Sequence, residues 1–306
     1  MTKKKKALTH VIESQQFDRK TLGDIFSIAD RLEKKNDRPL KGKILAAIFY
    51  EPSTRTRLSF ESAMTRLGGN VIATENAKDF SSAVKGETVE DTMRMINHYA
   101  DVMVIRHYEK GAAARAASVA TIPVINAGDG AGQHPTQALL DLYTIHREVK
   151  KIDGLSIAFV GDLKNGRTVR SLSYLLGKYK NVKIFFVSPP GLKIGADIKE
   201  YLTRHSVDYK ELATWEPILG SVDVLYQTRI QKERFESEAE YEKYKGCYIL
   251  TMKEVRKMKP KGIIMHPLPR VNEIATEVDA SPHAVYFRQA KYGVLARMAL
   301  LTYLLG

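Results

Sequence analysis

The chain has 306 residues, of which 44% are apolar and 27% charged, and its formal net charge is +13. This length and composition suffice for two domains and a buried core. The positive charge favours an anionic partner, such as a small acidic ligand. No block of five or six like charges is present, so a nucleic-acid-binding stripe is not indicated.

The cysteine content and the apolar segments further limit the class of protein to which the chain can belong. With one cysteine, Cys247, the chain can form neither an intrachain disulfide nor a cysteine zinc site. Lys3–Lys6 are predicted to lie in a frayed N-terminus, and no apolar stretch typical of a signal peptide follows them. The apolar residues 294–306 are too few for a membrane span and include Arg297, which favours a buried helix. We expect a cytoplasmic protein without a membrane partner.

Short apolar runs alternate with helix-period segments along the chain. The runs predict strands at residues 44–49, 71–73, 102–105, 124–126, 156–160, 182–187, 223–226 and 262–265. Predicted helices include residues 55–66, 88–98, 136–149, 168–179 and about 287–305. This alternation is typical of the α/β class. It predicts two doubly wound domains, each with a mainly parallel sheet of four strands flanked by helices, and an active site in the cleft between them.

The domain boundaries follow from the same alternation. We expect a first domain at residues 1–135, a linking helix at residues 136–149 and a second domain at residues 150–286. The last helix, residues 287–306, has no strand after it, and we expect it to pack back on the first domain.

Polar side chains follow most predicted strands, and ligands of open α/β sheets bind outside the carboxyl ends of strands. Ser53, Thr54, Arg55 and Thr56 come after the first strand, where a helix begins. A helix N-terminus with hydroxyl groups and a guanidinium is suited to an anion. The alternative is a plain N-cap with solvent-facing arginines.

The third and fourth strands are followed by further candidates. Arg106 ends an apolar strand, which also fits a strand that merely meets water. His134 and Gln137 begin the helix after the fourth strand and could hold a polar planar group. No second His, Asp or Glu stands at a metal-ligand spacing, so a metal is not predicted.

The second half of the chain carries a pattern close to a phosphate-binding P-loop. GDLKNGRT at residues 161–168 has Arg167 where that loop requires lysine, and no apolar strand ends in an acid to hold Mg²⁺. A P-loop nucleotide hydrolase is therefore the weaker interpretation, and Arg167 fits bidentate binding of a carboxylate.

Two later strand ends complete the set of candidates. Arg229 and Gln231 alternate, so they share one face of an extended segment. In HPLPR, residues 266–270, Pro267 and Pro269 lack N–H groups. The carbonyls of Pro267 and Leu268 could therefore accept hydrogen bonds from an NH₂ group, or the segment is simply a rigid loop.

Four motifs together resemble the aspartate/ornithine carbamoyltransferase family over essentially the whole chain. They are SxRT at residues 53–56, HPxQ at residues 134–137, RIQKERF at residues 229–235 and HPLPR at residues 266–270. The last two are typical of the aspartate branch. The alternative, the ornithine branch, is expected to carry His-Cys-Leu-Pro at the last position, and Cys247 lies elsewhere.

The resemblance implies transfer of the carbamoyl group of carbamoyl phosphate to L-aspartate, an early step of pyrimidine biosynthesis, without a metal or cofactor. The implied catalytic residues are Arg55, Thr56, Arg106, His134 and Gln137. Residues implied to bind carbamoyl phosphate are these five with Ser53, Thr54, Ser81, Lys85, Pro267, Leu268 and Pro269. Those implied to bind aspartate are Lys85, Arg167, Arg229, Gln231 and Leu268.

The resemblance also implies an assembly. Residues 80–88, with Ser81 and Lys85, match a mobile loop that reaches into the neighbouring subunit, which implies a homotrimer with shared active sites. Regulatory chains are an optional further partner, and no nucleic acid is expected. Glu51, Arg234 and Glu240 match positions linked to domain closure, whereas Asn165 departs from the aromatic residue frequent in the family.

Overall fold

The computed structural model describes residues 8–35 and 37–306, and this chain divides into two compact units. Unit 1 contains the chain up to Leu140 together with Lys291–Gly306, and unit 2 contains Asp141–Ala290. Each unit has a parallel sheet flanked by helices, so the predicted fold class is confirmed. Lys3–Lys6 lie outside the described residues, so their fraying stays a prediction.

Unit 1 is built on a four-stranded sheet, as predicted. Its strands have the order β2-β1-β3-β4 and are all parallel. The elements in chain order are α1 Arg19–Lys34, β1 Ile44–Phe49, α2 Thr54–Arg66, β2 Asn70–Glu75, α3 Ala77–Phe80, α4 Val89–Ile96, β3 Val102–His107, α5 Ala112–Ser118 and β4 Val124–Asp129. Helix α6, Pro135–Val149, follows and crosses from unit 1 into unit 2.

The apolar composition of β1 and β3 explains their central position. Residues Leu45–Phe49 of β1 are all buried, as are Val102–Ile105 of β3. Parallel strands covered on both faces require such continuous apolar runs. One face packs against α4 and α5 through a cluster that includes Met93, Ile105 and Ala116.

Unit 2 has five strands in the order β7-β6-β5-β8-β9, so the prediction of four is wrong. Its elements are β5 Ser156–Val160, α7 Arg167–Leu176, β6 Lys183–Val187, α8 Ala196–Arg204, β7 Asp208–Leu212, β8 Val224–Gln227, α9 Glu238–Glu242, α10 Met252–Val255 and β9 Ile263–Met265. Helix α11, Tyr286–Leu305, crosses from unit 2 into unit 1. The missed strand is β7, whose sequence DYKEL has no apolar run because it lies at the sheet edge.

A close backbone approach fixes the loop that follows β5. Gly161 has φ +119°, and a Cβ atom there would lie 2.3 Å from the carbonyl oxygen of Thr228. Gly154 also has a positive φ, +76°, but has open space around it among the described residues. Substitutions at the two glycines can therefore separate the cost of a positive φ from the cost of steric crowding.

We expect Gly161→Ala to destabilise the protein more than Gly154→Ala. Each substitution places an L side chain at positive φ, at a cost of about 1–2 kcal/mol, and overpacking against Thr228 adds about 2 kcal/mol at Gly161 alone. Urea unfolding of both variants measures the difference in the free energy of unfolding. Equal losses would show that the approach of Gly161 to Thr228 is not a constraint.

Candidate active site

In unit 1 the polar segments named from the sequence emerge at one edge of the sheet. Phe49 of β1 pairs with Arg106 of β3, and His107 of β3 pairs with Asp129 of β4. The Tyr50 N–H donates to the Arg106 carbonyl at 2.8 Å, so the strands end side by side. The N-terminus of α2, the Arg106 side chain and the start of α6 therefore all follow the carboxyl edge of this sheet.

The start of α2 differs from a plain side-chain cap. Ser53 is the N-cap residue, but within the described chain its hydroxyl makes no capping hydrogen bond to this helix. Thr56 is buried in the first turn, whereas Thr54 and Arg55 are exposed. Arg57 is bound within unit 1, because it forms ion pairs with Glu75 at 2.8 Å and Glu61 at 3.4 Å. Arg55, unlike Arg57, thus lies on the exposed part of the helix start.

Arg106 is held by neighbours within unit 1. Its Nε lies 3.4 Å from Glu51 Oε2, and its Nη1 donates to the Ala127 carbonyl at 3.4 Å. Its side chain retains 15% exposure. These contacts direct a guanidinium toward the carboxyl edge and give Glu51 a role beside Arg106.

His134 immediately precedes α6, Gln137 lies in the first turn of this helix, and both are buried. The Gln137 N–H donates to the His134 carbonyl at 3.0 Å, and His134 Nδ1 lies 3.3 Å from Thr136 Oγ1. Asp129 holds the preceding loop, because its carboxylate accepts the N–H groups of Gly111 and Gln133 at 2.9 Å each. The expectation that no apolar strand ends in an acid is wrong, since β2 ends at Glu75 and β4 at Asp129. Arg57 pairs with Glu75, and backbone N–H groups occupy the Asp129 carboxylate.

Ser81 and Lys85 belong to a segment that follows β2. The Ser81 hydroxyl donates to the Ala77 carbonyl at 2.5 Å and accepts the Ala83 N–H at 3.1 Å. Lys85 is exposed. Phe80 and Val84 are 77% and 64% exposed. This segment is thus exposed on unit 1, and the Ser81 hydroxyl forms hydrogen bonds within the local turn.

In unit 2 a second carboxyl edge gathers the remaining candidates. Val160 of β5 pairs with Gln227 of β8, and Tyr226 of β8 pairs with Met265 of β9. The three segments that leave this edge are residues 161–167, 228–231 and 266–270. Arg167, Arg229, Gln231 and Leu268 therefore follow adjacent strands of one sheet.

Asp162 ties two of these segments together and was not found by sequence reasoning. Its carboxylate accepts the Asn165 N–H at 3.0 Å and the Asn165 side-chain amide at 3.1 Å. It also accepts the backbone N–H of Gln231. Burial raises the pKa of Asp162 above the ordinary value of 3.8, although these hydrogen bonds oppose the shift. The only signal in the sequence was an acid two residues after the end of the buried strand β5.

The Arg229 guanidinium already binds a carboxylate. Its Nη1 donates to Glu233 Oε2 at 3.0 Å, and Nη2 donates to the other oxygen. Burial opposes ionisation of Glu233, but the bonds from Arg229 hold the pKa of Glu233 below its usual value. Arg167 is the first residue of α7 and, like Gln231, is half-buried. The two arginines of unit 2 are thus placed at one edge with a fork suited to carboxylates.

The HPLPR segment forms a tight, unusual loop after β9. Leu268 has φ +56°, and the Leu268–Pro269 peptide bond is cis. Pro267 and Leu268 are half-buried, and Pro269 is exposed. Arg270 is used within unit 2, because its Nη2 donates to Asp279 Oδ2 at 2.6 Å. The Pro267–Leu268 backbone thus follows the same edge as Arg229.

Residues 8–35 and 37–306 contain no group of three or more His, Cys, Asp or Glu placed to hold a metal ion. In the same part of the chain no helix is long and apolar enough to cross a membrane.

Comparison with known proteins covers both units. A family model described as aspartate/ornithine carbamoyltransferase, carbamoyl-P binding domain, matches residues 9–147. A second, described as aspartate/ornithine carbamoyltransferase, Asp/Orn binding domain, matches residues 153–304. A relative from Pisum sativum, named aspartate carbamoyltransferase 2, chloroplastic, is 58% identical over 97% of this chain and 79% of its own length.

Solved structures give the same result. The catalytic subunit of M. jannaschii aspartate transcarbamoylase has a TM-score of 0.90 and 50% identity over 97% of this chain and 98% of its own. The Trypanosoma cruzi aspartate transcarbamoylase, solved with carbamoyl phosphate and aspartate, has a TM-score of 0.92 and 40% identity, with 97% of each chain covered.

Asp162 should make stability depend on pH. Its raised pKa means that the folded state binds more protons than the unfolded state between pH 3.8 and the folded pKa. The free energy of unfolding therefore falls as the pH rises through this window. We expect Asp162→Asn, which retains an acceptor for Asn165, to remove this component. Urea unfolding from pH 4 to 7 measures it, with Asp208→Asn on the exposed strand β7 as the control. Parallel pH curves for the wild type and Asp162→Asn would contradict the prediction.

Proposed function

The chain belongs to the aspartate/ornithine carbamoyltransferase family, and we propose that it is an aspartate carbamoyltransferase. It transfers the carbamoyl group of carbamoyl phosphate to the amino group of L-aspartate, an early step of pyrimidine synthesis. The observation that carries this proposal is 58% identity, over nearly the whole chain, with a relative of that name. The charge and position of the residues at the two carboxyl edges support it.

The phosphate is assigned to the start of α2. Unpaired N–H groups and the helix dipole favour an anion at a helix N-terminus. Ser53, whose hydroxyl does not cap the helix, is available as a donor there, together with Thr54, Thr56 and the exposed Arg55. Lys85 and Ser81 are assigned to the same ligand.

The carbamoyl group is assigned to residues that can stabilise negative charge on its oxygen. As the amine attacks, negative charge develops on this oxygen, and preorganised donors stabilise it. Thr56, Arg106 and His134 are the proposed donors, and Glu51 holds the Arg106 guanidinium. Gln137 and the carbonyls of Pro267 and Leu268 accept hydrogen bonds from the carbamoyl NH₂, with Pro269 restricting the loop.

Aspartate is assigned to unit 2 and Lys85. Its two carboxylates require two cationic groups, which Arg167 and Arg229 provide, while Gln231 and the Leu268 backbone complete the contacts. Aspartate must displace Glu233 from Arg229, and the exposed ion pair between these residues offers little resistance.

The reaction needs little acid–base chemistry. The amino nitrogen forms a bond to the carbamoyl carbon, and the bond from that carbon to the phosphate oxygen breaks. The amine proton leaves with a group such as the departing phosphate. Correct orientation of two bound anions contributes several kcal/mol, about 7–11 in well-oriented model reactions.

Acceptor choice tests the assignment of unit 2. We expect product with carbamoyl phosphate and L-aspartate but not with L-ornithine, which has one carboxylate and an added ammonium group. Arg229→Ala should raise KM for aspartate by roughly 100-fold, about 3 kcal/mol. KM for carbamoyl phosphate should change little.

The control for this test is Arg204→Ala, at the exposed end of α8. Product with ornithine but not with aspartate as the acceptor would assign the protein to the ornithine branch of the family. Mg²⁺-dependent ATP hydrolysis that is lost in Arg167→Ala, without carbamoyl product, would favour the P-loop interpretation.

We also propose a homotrimer in which Ser81 and Lys85 act in the site of a neighbouring subunit. The support is the exposure of Lys85 and of two large apolar side chains, Phe80 and Val84, on the same segment. Neighbouring apolar side chains exposed on one short segment suit a surface that a partner covers. Domain closure through Glu51, Arg234 and Glu240, binding of regulatory chains and a cytoplasmic location stay predictions. The pea relative is named as chloroplastic.

Mixed trimers test the shared site. Lys85→Ala and Arg106→Ala should each be inactive, because each lacks one group of every site. After unfolding and refolding together, about one quarter of the sites should combine Arg106 from one chain with Lys85 from its neighbour. We expect about a quarter of wild-type activity. Each variant refolded alone is the control, and a mixture no more active than its parents would rule out sharing.

A further inference from the structure

His266, the first residue of HPLPR, is 1% exposed and uses both ring nitrogens. Its Nδ1 lies 2.8 Å from the Leu268 backbone nitrogen, and its Nε2 lies 2.7 Å from Glu273 Oε1. A backbone N–H can only donate, so Nδ1 must be an acceptor. The hydrogen of the neutral ring is therefore on Nε2, where it is donated to the carboxylate.

Glu273 stabilises this form of the ring. Its other oxygen, Oε2, accepts the N–H groups of Val271 and Asn272 at 3.1 Å each. Burial opposes ionisation, but the bonds from His266 and the backbone hold the pKa of Glu273 below its usual value. Burial lowers the pKa of His266. The pair is thus a neutral imidazole and a carboxylate, with the imidazole locked in one tautomer.

The backbone of His266 is fixed as well. Its N–H donates to Gln289 Oε1 at 3.0 Å, and Gln289 Nε2 donates to Asp141 Oδ1 at 2.6 Å. The Tyr226 hydroxyl donates to Asp141 Oδ2 at 2.7 Å. All three partners are buried. This chain of hydrogen bonds joins the end of β9 to α11, α6 and β8 within unit 2, so the imidazole has little freedom to move.

Leu268 depends on this imidazole for its conformation. Its φ of +56° is uncommon for a bulky side chain and persists only where the surroundings enforce it. Pro267 and Pro269 have no N–H to offer. The Leu268 N–H is therefore the one backbone donor between them, and it is bound to His266 Nδ1.

We propose that His266, with its hydrogen on Nε2, is a positioning residue that sets the direction of the Pro267 and Leu268 carbonyls. Glu273 assists by holding the ring. The role rests on the proposed function, in which these carbonyls receive the carbamoyl NH₂ group. His266 itself touches no substrate; it acts through the Leu268 N–H.

Two substitutions separate the two bonds of His266. In His266→Asn the side-chain oxygen can accept the N–H two residues on, as in an Asx-turn, but the bond to Glu273 is lost. In His266→Gln the longer amide can reach Glu273, but the local acceptor for Leu268 is lost. We expect His266→Asn to retain most of kcat. His266→Gln should lose about 100-fold, because a small misplacement of a contacting group has that effect.

Amide hydrogen exchange tests the positioning without reference to activity. Between His266 and Arg270 only residues 266, 268 and 270 have an amide hydrogen, so exchange at Leu268 can be resolved from that at its two neighbours. Its protection should persist in His266→Asn and disappear in His266→Gln. Glu273→Gln should give an intermediate loss, because the ring remains but its carboxylate acceptor is gone.

His283→Gln is the matched control, since this half-buried histidine contacts the Gly262 carbonyl rather than the loop. It should change neither kcat nor exchange at Leu268. Equal protection of Leu268 in the Asn and Gln variants, or a higher kcat for the Gln variant, would overturn the proposal. If the wild type forms no carbamoyl-aspartate, the proposed function fails, and hydrogen exchange still decides whether His266 holds Leu268.

Discussion

The register between parallel strands is the constraint on which the rest of this structure depends. In each unit the central strands end at the same level, with Phe49 opposite Arg106 in unit 1 and Val160 opposite Gln227 in unit 2. Parallel pairing sends every carboxyl end to the same edge. Residues that lie more than 50 positions apart in the sequence, such as Ser53 and Arg106, therefore lie at or just beyond the ends of neighbouring strands.

The two units secure this register with the same device at the opposite edge. In unit 1 the Asp101 carboxylate accepts the Ile44 N–H at 2.9 Å and pairs with Lys43 at 2.7 Å. In unit 2 the Asp223 carboxylate accepts the Ser156 N–H at 3.0 Å and pairs with Lys259 at 2.5 Å. Each aspartate precedes the strand beside the first strand of its unit. It thus aligns the two strands where they begin, and the uninterrupted pairing between them carries the alignment to the carboxyl edge.

Carboxylates also hold the loops at the carboxyl edges. Asp129, Asp162 and Glu273 are buried, and each accepts at least two backbone N–H groups, of which at least one comes from a loop that carries or adjoins candidate residues. A buried carboxylate is stable only when its lone pairs are satisfied. Such a group therefore restricts a loop more tightly than an apolar contact would. The proposed ligands are anionic, and these acids have their oxygens turned to the backbone rather than to the exposed arginines.

The sequence by itself determined the alternation of strands and helices, and β1 and β5 were predicted to the residue because continuous apolar runs identify buried parallel strands. It also identified the motifs at the strand ends. The polar edge strand β7 was not predicted, because such a strand has no apolar run. Only the tertiary structure distinguished the roles of Arg55 and Arg57, since Arg57 on α2 forms an ion pair with Glu75 on β2. It alone joined Asp162 to Gln231 and His266 to Leu268 and Glu273. Periodicity is a local property of the chain, whereas the partner of a polar side chain depends on strand register and loop path, which are set by contacts distant in sequence.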